Sequence, residues 1–323
     1  MVQPIQTSSL LVGELQKLEL LSPEQLNTLQ ANGFTARHAD GRGAARELLQ
    51  RGWLTPFQVN QLLQGRGTEL IQGSYLLLER LGDGGAGQVF KARHLHMQRV
   101  IALKILHKDL LDDQETLDRF RREVRLISEL NHPNVVQAHD AVLTGNTYYM
   151  AMEYVEGVDL GGLVKQRGAL PVSQACEYIR QACLGLQYIH DRGLVHRDIK
   201  PSNLLVTGKP VPTSPPWGLL KILDLGLARP QRSIDPDGGI TKTSSFTIGT
   251  VDYMSPEQAN DFRGVDIRSD IYSLGCTAYV LLAGRPPFEG TMAQKLVRHQ
   301  QAEPPPIERL RIDVPQGVAM ILR

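Results

Sequence analysis

His196-Arg197-Asp198-Ile199-Lys200-Pro201-Ser202-Asn203 is the stretch on which the fold turns. From Asp198 to Asn203 it sets a potential general base, a cation and an amide able to ligate a metal within six residues. An ordinary polar loop explains so dense a cluster poorly. Downstream lies Asp224-Leu225-Gly226. A lone D-x-G is common in turns, and only its position after the first stretch gives it weight.

Upstream, Gly82-Asp83-Gly84-Gly85-Ala86-Gly87-Gln88-Val89 follows the pattern G-x-G-x-x-G-x-V. Glycines let backbone N–H groups approach phosphates closely, but the pattern alone also fits a dinucleotide fingerprint or a plain hairpin. A dinucleotide site needs a helix directly after the glycines. QVFKARH follows instead and reads as a strand, which favours a glycine-rich hairpin over a nucleotide. Lys104 stands seventeen residues after Gly87, in Ile101-Ala102-Leu103-Lys104. A strand lysine is commonly a solvated surface residue. Here the apolar neighbours Ala102 and Ile105 imply partial burial, and a charge there wants a partner. Glu123, in the helical pattern at 114–130, is the candidate.

Around these motifs the chain changes texture. Residues 1–70 read as short helices: Ser22-Pro23-Glu24-Gln25 and Thr55-Pro56-Phe57-Gln58 both carry a capping residue, Pro at the first helical position and Gln at the third. Gly52 and Gly65 stand where helix stops belong, and Leu48, Leu49, Leu54, Phe57, Leu62 and Leu63 supply an apolar face. From Tyr75 strand-like runs follow one another, then mainly helices from about 160 onward, with short strands near 204–206 and 219–223. Strands followed by helices imply α+β, not an alternating parallel sheet. The segments 208–218 and 229–250 read as loops.

Bulk properties add mostly exclusions. Lys and Arg total 35 against 34 Asp and Glu, which gives no global field for nucleic acid. The three cysteines, Cys176, Cys183 and Cys276, lack metal or disulfide spacing, and Cys176 and Cys183 read as one buried helix face. Sparse thiols suit a cytoplasmic protein, no run of about 18 apolar residues suggests a membrane span, and the N-terminus lacks the features of a signal peptide.

Taken together, these motifs resemble those of eukaryotic-type (Hanks-type) serine/threonine protein kinases, and DIKPSN with GTVDYMSPEQ is most similar to the bacterial members. The resemblance runs from about Tyr75 to the end of the chain. It implies a two-lobed kinase-like fold of the α+β class: a β-rich small lobe at 75–155, a larger helical lobe at 156–323, and the helical region 1–70 as an appendage. It implies ATP and Mg2+, and protein substrates presenting Ser or Thr. By position, Gly82, Gly84 and Gly87 would cover the phosphates, with Leu81 at the mouth of the site. Lys104 would hold the α- and β-phosphates and pair with Glu123. Asp198 would take or orient the substrate proton, Lys200 would face the γ-phosphate, and Asn203 and Asp224 would hold magnesium. Met152 would gate the adenine pocket, Glu153 and Val155 would offer backbone hydrogen bonds, and Val89, Ala102 and Leu205 would sandwich the base. Those apolar residues are equally explained as plain core. Lys200 and Thr250 match the Ser/Thr pattern, and Arg197 implies control by phosphorylation of the 230–248 loop, with Thr241 and Thr243 preferred over Ser244, Ser245 and Thr247.

The sequence departs from the family in three places. Leu225 and Ser255 are mild substitutions for the commoner Phe and Ala. The third is the C-terminus at VPQGVAMILR, where the resemblance leads us to expect a shortened lobe in which Glu257 lacks an arginine partner. Were Glu257 desolvated, that loss would cost about 3–5 kcal/mol. Either the sequence is a piece of a longer chain, or the alternative to an active kinase, a pseudokinase or nucleotide-binding scaffold, applies. Residues 1–70 are read either as a protein-interaction module or as a structural extension of the kinase.

Overall fold

The computed structural model describes residues 4–84, 87–106, 122, 124–144, 147–208, 217–224, 251–260 and 265–323. They fall into two compact units, the first made of Met1–Asp83, Gly87–Ile105 and Val142–Tyr154, the second of Gly84–Ala86, Leu106–Ala141 and Val155–Arg323.

The first unit opens with five helices: α1 (Ser8–Lys17), α2 (Pro23–Ala31), α3 (Phe34–Arg37), α4 (Gly41–Gln50) and α5 (Pro56–Leu63). Both expected capping boxes form: Ser22 and Thr55 each accept from the third backbone N–H, and Gln25 and Gln58 reach back to the cap. Gly52 and Gly65 follow helix ends at φ +67° and +75°, where a side chain would be strained. Leu11, Leu15, Leu29, Phe34, Leu48 and Leu62 form a sealed core, and Leu49, Phe57 and Leu63 pack at its margin. That core also takes in Leu76 and Leu78 of the strand that follows, so the helices do not close on themselves.

Among the described residues six strands make one sheet: β1 (Ile71–Gln72), β2 (Tyr75–Gly84), β3 (Gly87–His94), β4 (Val100–Leu106), β5 (Ala138–Thr144) and β6 (Thr147–Glu153), in the order β1-β2-β3-β4-β6-β5. A strand, not a helix, follows Gly87, as the hairpin reading requires. Strand alternation sorts the side chains. Tyr75, Leu77, Phe90, Ala92, Ile101, Leu103, Tyr149 and Ala151 form one core. Val89 and Ala102 lie out of phase with it and are half-buried.

In the second unit a three-stranded sheet, β7 (Gly157–Asp159), β8 (Leu204–Thr207) and β9 (Leu220–Ile222), is ordered β7-β8-β9. Its helices are α6 (Leu160–Arg167), α7 (Val172–His190), α8 (Pro256–Asn260), α9 (Ile267–Ala283), α10 (Met292–Gln301) and α11 (Gln316–Ile321). The β-rich and helical segments agree with the α+β expectation. One reading of α7 is corrected. Its buried stripe is Ala175, Tyr178, Ala182, Leu186 and Ile189. Cys183 is exposed and Cys176 half-buried, because the cysteines sit one position out of phase with the stripe. Gly185 lets α7 approach the segment before β5 and β9 closely: a Cβ there would meet Ile222 Cδ1 at 2.7 Å and the Asn134 carbonyl at 3.0 Å. Among the described residues no helix is long and apolar enough to cross a membrane.

Candidate active site

Asp198 lies in the irregular segment between α7 and β8, and the geometry around it starts from a buried carboxylate on α9. Asp270 has no exposed surface. Its Oδ2 accepts from the backbone N–H of His196 (2.8 Å) and from His190 Nε2 (2.9 Å), and its Oδ1 accepts from the backbone N–H of Arg197 (2.7 Å). Three donors balance the cost of burying one charge. They also hold Arg197 in the left-handed region at φ +65°, a backbone state costing on the order of 1–3 kcal/mol for a non-glycine residue.

His196, fully buried, carries the constraint onward. Its Nε2–H donates to the Leu223 carbonyl at 2.7 Å, and its Nδ1 accepts from the Asp198 N–H at 3.2 Å. A carbonyl on one nitrogen and an N–H on the other assign the neutral Nε2–H tautomer. The Asn203 carbonyl accepts from the Leu223 N–H at 2.8 Å. Asp224 is thus delivered beside this segment by a residue hydrogen-bonded through both its N–H and its carbonyl, and it too has a left-handed backbone, φ +51°.

Within the loop, Lys200 Nζ lies 3.0 Å from Asp198 Oδ2. Asn203 Nδ2 donates to the same oxygen at 3.1 Å and to the Asp198 carbonyl at 2.8 Å. The Asn203 amide is therefore oriented with its nitrogen on Asp198, which turns its oxygen elsewhere. Gln258 Nε2 donates to the Arg197 carbonyl at 2.9 Å, and the Arg197 Nε is buried without a hydrogen-bond partner among the described residues.

The first unit holds the other site residues. Lys104 is buried at 5% exposure, which removes the solvated-surface reading. The β4–β6 register sets Ala102 opposite Met152 and Lys104 opposite Met150, so these four share one face, away from the Ile101–Leu103–Ala151 core. Met152 is buried and Glu153 half-buried. Leu81 is 45% exposed, near the end of β2 with Gly82 and Gly84. In the second unit, Val155 and Leu205 are half-buried. Val89, Ala102 and Leu205 are each partly exposed. Glu257 is exposed, so the desolvation cost anticipated for it does not arise. Glu123, Leu225, Gly226 and the loop sites Thr241, Thr243, Ser244, Ser245, Thr247 and Thr250 lie outside the described residues.

Asp270, His190 and Gln258, which brace the loop, are not among the site residues read from the sequence. A signal existed: Ser269, Asp270, Ser273 and Thr277 are polar residues buried in a largely apolar helix, and buried polar groups must have partners. A second missed link ties Asp252, in the turn Val251–Tyr253, to Lys295 of α10 by an ion pair with both side chains largely buried.

Comparison with known proteins gives a consistent picture. The protein kinase domain family matches residues 75–316. The serine/threonine-protein kinase PknB of Mycolicibacterium smegmatis is 38% identical over 259 residues, covering 78% of this chain and 40% of that protein. The serine/threonine-protein kinase PrkC of Bacillus subtilis is 38% identical over 253 residues, covering 78% of this chain and 37% of that protein. The chain therefore spans about 40% of the length of such relatives. Among solved structures, the Mycobacterium tuberculosis PknI kinase domain superposes with a TM-score of 0.59 at 27% identity, over 79% of this chain and 89% of that one.

Proposed function

Residues 75–316 of this chain belong to the protein kinase family, of the bacterial serine/threonine type, and on that premise we propose that the chain transfers the γ-phosphoryl group of ATP to Ser and Thr hydroxyls of proteins. The observation that carries the reading is the Asp198 carboxylate, held at 3.0 Å by Lys200 and at 3.1 Å by Asn203 in a loop braced by buried Asp270. Phosphoryl transfer asks for positioning and charge neutralisation more than for covalent chemistry. Asp198 accepts or orients the proton of the attacking hydroxyl. Lys200, already at the carboxylate, neutralises charge on the transferred group. Lys104, on the face shared with Ala102 and Met152, holds the α- and β-phosphates, with Glu123 as its partner. The glycines at 82, 84 and 87 cover the phosphates. Val89, Ala102 and Leu205 take the two faces of the adenine, Leu81 lines the entrance, Met152 limits the pocket's depth, and the backbones of Glu153 and Val155 bind its edge.

Magnesium fits the donors present. Asn203 Nδ2 is engaged by Asp198, which leaves an amide oxygen for a hard cation, and Asp224 supplies a carboxylate. Bound there, the ion would neutralise phosphate charge. Regulation by phosphorylation within 230–248, at Thr241 or Thr243, is supported by the Arg197 guanidinium, whose buried Nε has no partner among the described residues. For residues 1–70 the two readings are a protein-interaction module and a structural extension of the kinase, and the core they share with Leu76 and Leu78 supports the second.

The test is transfer of label from γ-labelled ATP with Mg2+, followed by phosphoamino-acid analysis. Label on Ser or Thr, absent without Mg2+, supports the reading. Label on Tyr alone, or none while ATP is bound, overturns it.

A further inference from the structure

α5 touches the sheet at the two strands that flank the glycine-rich hairpin. β1 is only two residues long and pairs with Tyr75 and Leu76, and among the described residues no other strand covers that edge of β2. The first turn of α5 supplies partners for β2: Thr55 Oγ1 donates to the Leu78 carbonyl, and Gln58 Nε2 donates to the Leu77 carbonyl at 3.0 Å. Both side chains serve two purposes. Thr55 Oγ1 also accepts from the Gln58 N–H at 3.2 Å, and Gln58 Oε1 accepts from the Thr55 N–H at 3.0 Å. The capping box of α5 is thereby locked to β2, with Gln58 only 3% exposed. Between them Phe57 packs its ring on Phe90 of β3, centroids 5.7 Å apart.

These contacts bear on the nucleotide residues. Leu78 precedes Gly82 by four residues of the same strand, and Phe90 directly follows Val89. Alternate side chains point to opposite faces, so fixing Phe90 on one face fixes the roll of β3 that presents Val89 on the other. α5 itself lies outside the residues matched by the kinase family, which begin at 75.

We propose that Thr55, Phe57 and Gln58 are positioning residues for the nucleotide site, setting the glycine-rich hairpin through β2 and β3, so that the N-terminal helices are part of the ATP-binding apparatus. This rests on the kinase reading of the hairpin.

The test measures binding of a non-hydrolysable ATP analogue with Mg2+, alongside KM for ATP, kcat and thermal stability, in the full chain. Phe57→Ala is compared with Phe57→Leu and with Leu29→Ala, a truncation on α2 in the same helical core. Phe57→Ala weakens the analogue roughly 3–10-fold and raises KM for ATP equally with kcat little changed, less than the ~100-fold that a 1 Å misplacement at reacting atoms can cost. Phe57→Leu restores most of this, and Leu29→Ala lowers stability without shifting nucleotide affinity. Gln58→Met makes the same comparison without opening a cavity. Equal shifts in Phe57→Ala and Leu29→Ala, or no shift in Phe57→Ala and Gln58→Met, overturn the proposal. A wild-type chain that binds no analogue overturns the nucleotide reading itself, and this inference with it.

Discussion

Replacing Asp270 by Asn keeps the shape of the side chain and removes its charge. An amide has one acceptor oxygen. Its better orientation leaves that oxygen on His196 N–H and His190 Nε2 and sets an NH2 against the Arg197 N–H, which now contacts Asp270 Oδ1 at 2.7 Å. One charge-assisted bond becomes a donor facing a donor and two others become neutral, about 3–5 kcal/mol in sum. Relief of a fully buried carboxylate returns part of this, leaving about 2–4 kcal/mol. The left-handed backbone of Arg197 then loses its clamp and relaxes, and Asp198 moves with it. A displacement near 1 Å would lower transfer on the order of 100-fold. Urea unfolding followed through Trp217, which lies in the second unit, reads the stability change once Trp53 of the first unit is replaced by Phe. Labelled-phosphate transfer without denaturant reads the second effect. If Asp270→Asn unfolds within about 0.5 kcal/mol of the parent, the spread usual for a neutral surface change, and transfers phosphate at the parental rate, the bracing role assigned to Asp270 is refuted.

Other perturbations test separate parts of the structure. Gly185→Ala drives a methyl group toward the Asn134 carbonyl and Ile222; a loss of about 1–3 kcal/mol in urea unfolding is expected. Lys104→Met removes the buried cation of β4 and should lower transfer on the order of 100-fold while raising KM for ATP. His299, buried on α10 against Phe288 and hydrogen-bonded to the Tyr272 hydroxyl at 2.7 Å, is pushed below its ordinary pKa chiefly by desolvation, with Lys295 adding and Asp252 opposing. The unfolded chain therefore takes up this proton first. The stability from neutral His299 is complete above the ordinary value of about 6.5 and is lost as pH falls through the lower folded value. Thermal melts should show a steeper decline on acidification for the parent than for His299→Gln, and equal slopes would count against it.

The chemistry was legible where it is local in sequence. Asp198, Lys200 and Asn203 meet because they share one short loop, and the capping boxes at Ser22 and Thr55 are read from four residues each. What braces them was harder to see. Asp270 meets His196 across 74 residues and Gln58 meets Leu77 across 19, and no local period encodes either pairing. The cysteines of α7 show the limit of periodicity. Seven-residue spacing establishes a shared face, but the turn of the helix that faces the core is set by Ala175, Tyr178, Ala182 and their partners in three dimensions. The exposure of Glu257 and the burial of Lys104 were likewise settled by packing, not by residue type.

The most direct measurement compares the parent chain with Asp198→Asn for binding of Mg-ATP and for transfer of labelled γ-phosphate in one preparation. General-base removal leaves nucleotide contacts in place and lowers the chemical step by about 100- to 10,000-fold. Binding retained with transfer reduced to that extent is the expected result. Equal transfer by both proteins would contradict the role of Asp198 and, with it, the assignment of this site to phosphoryl transfer.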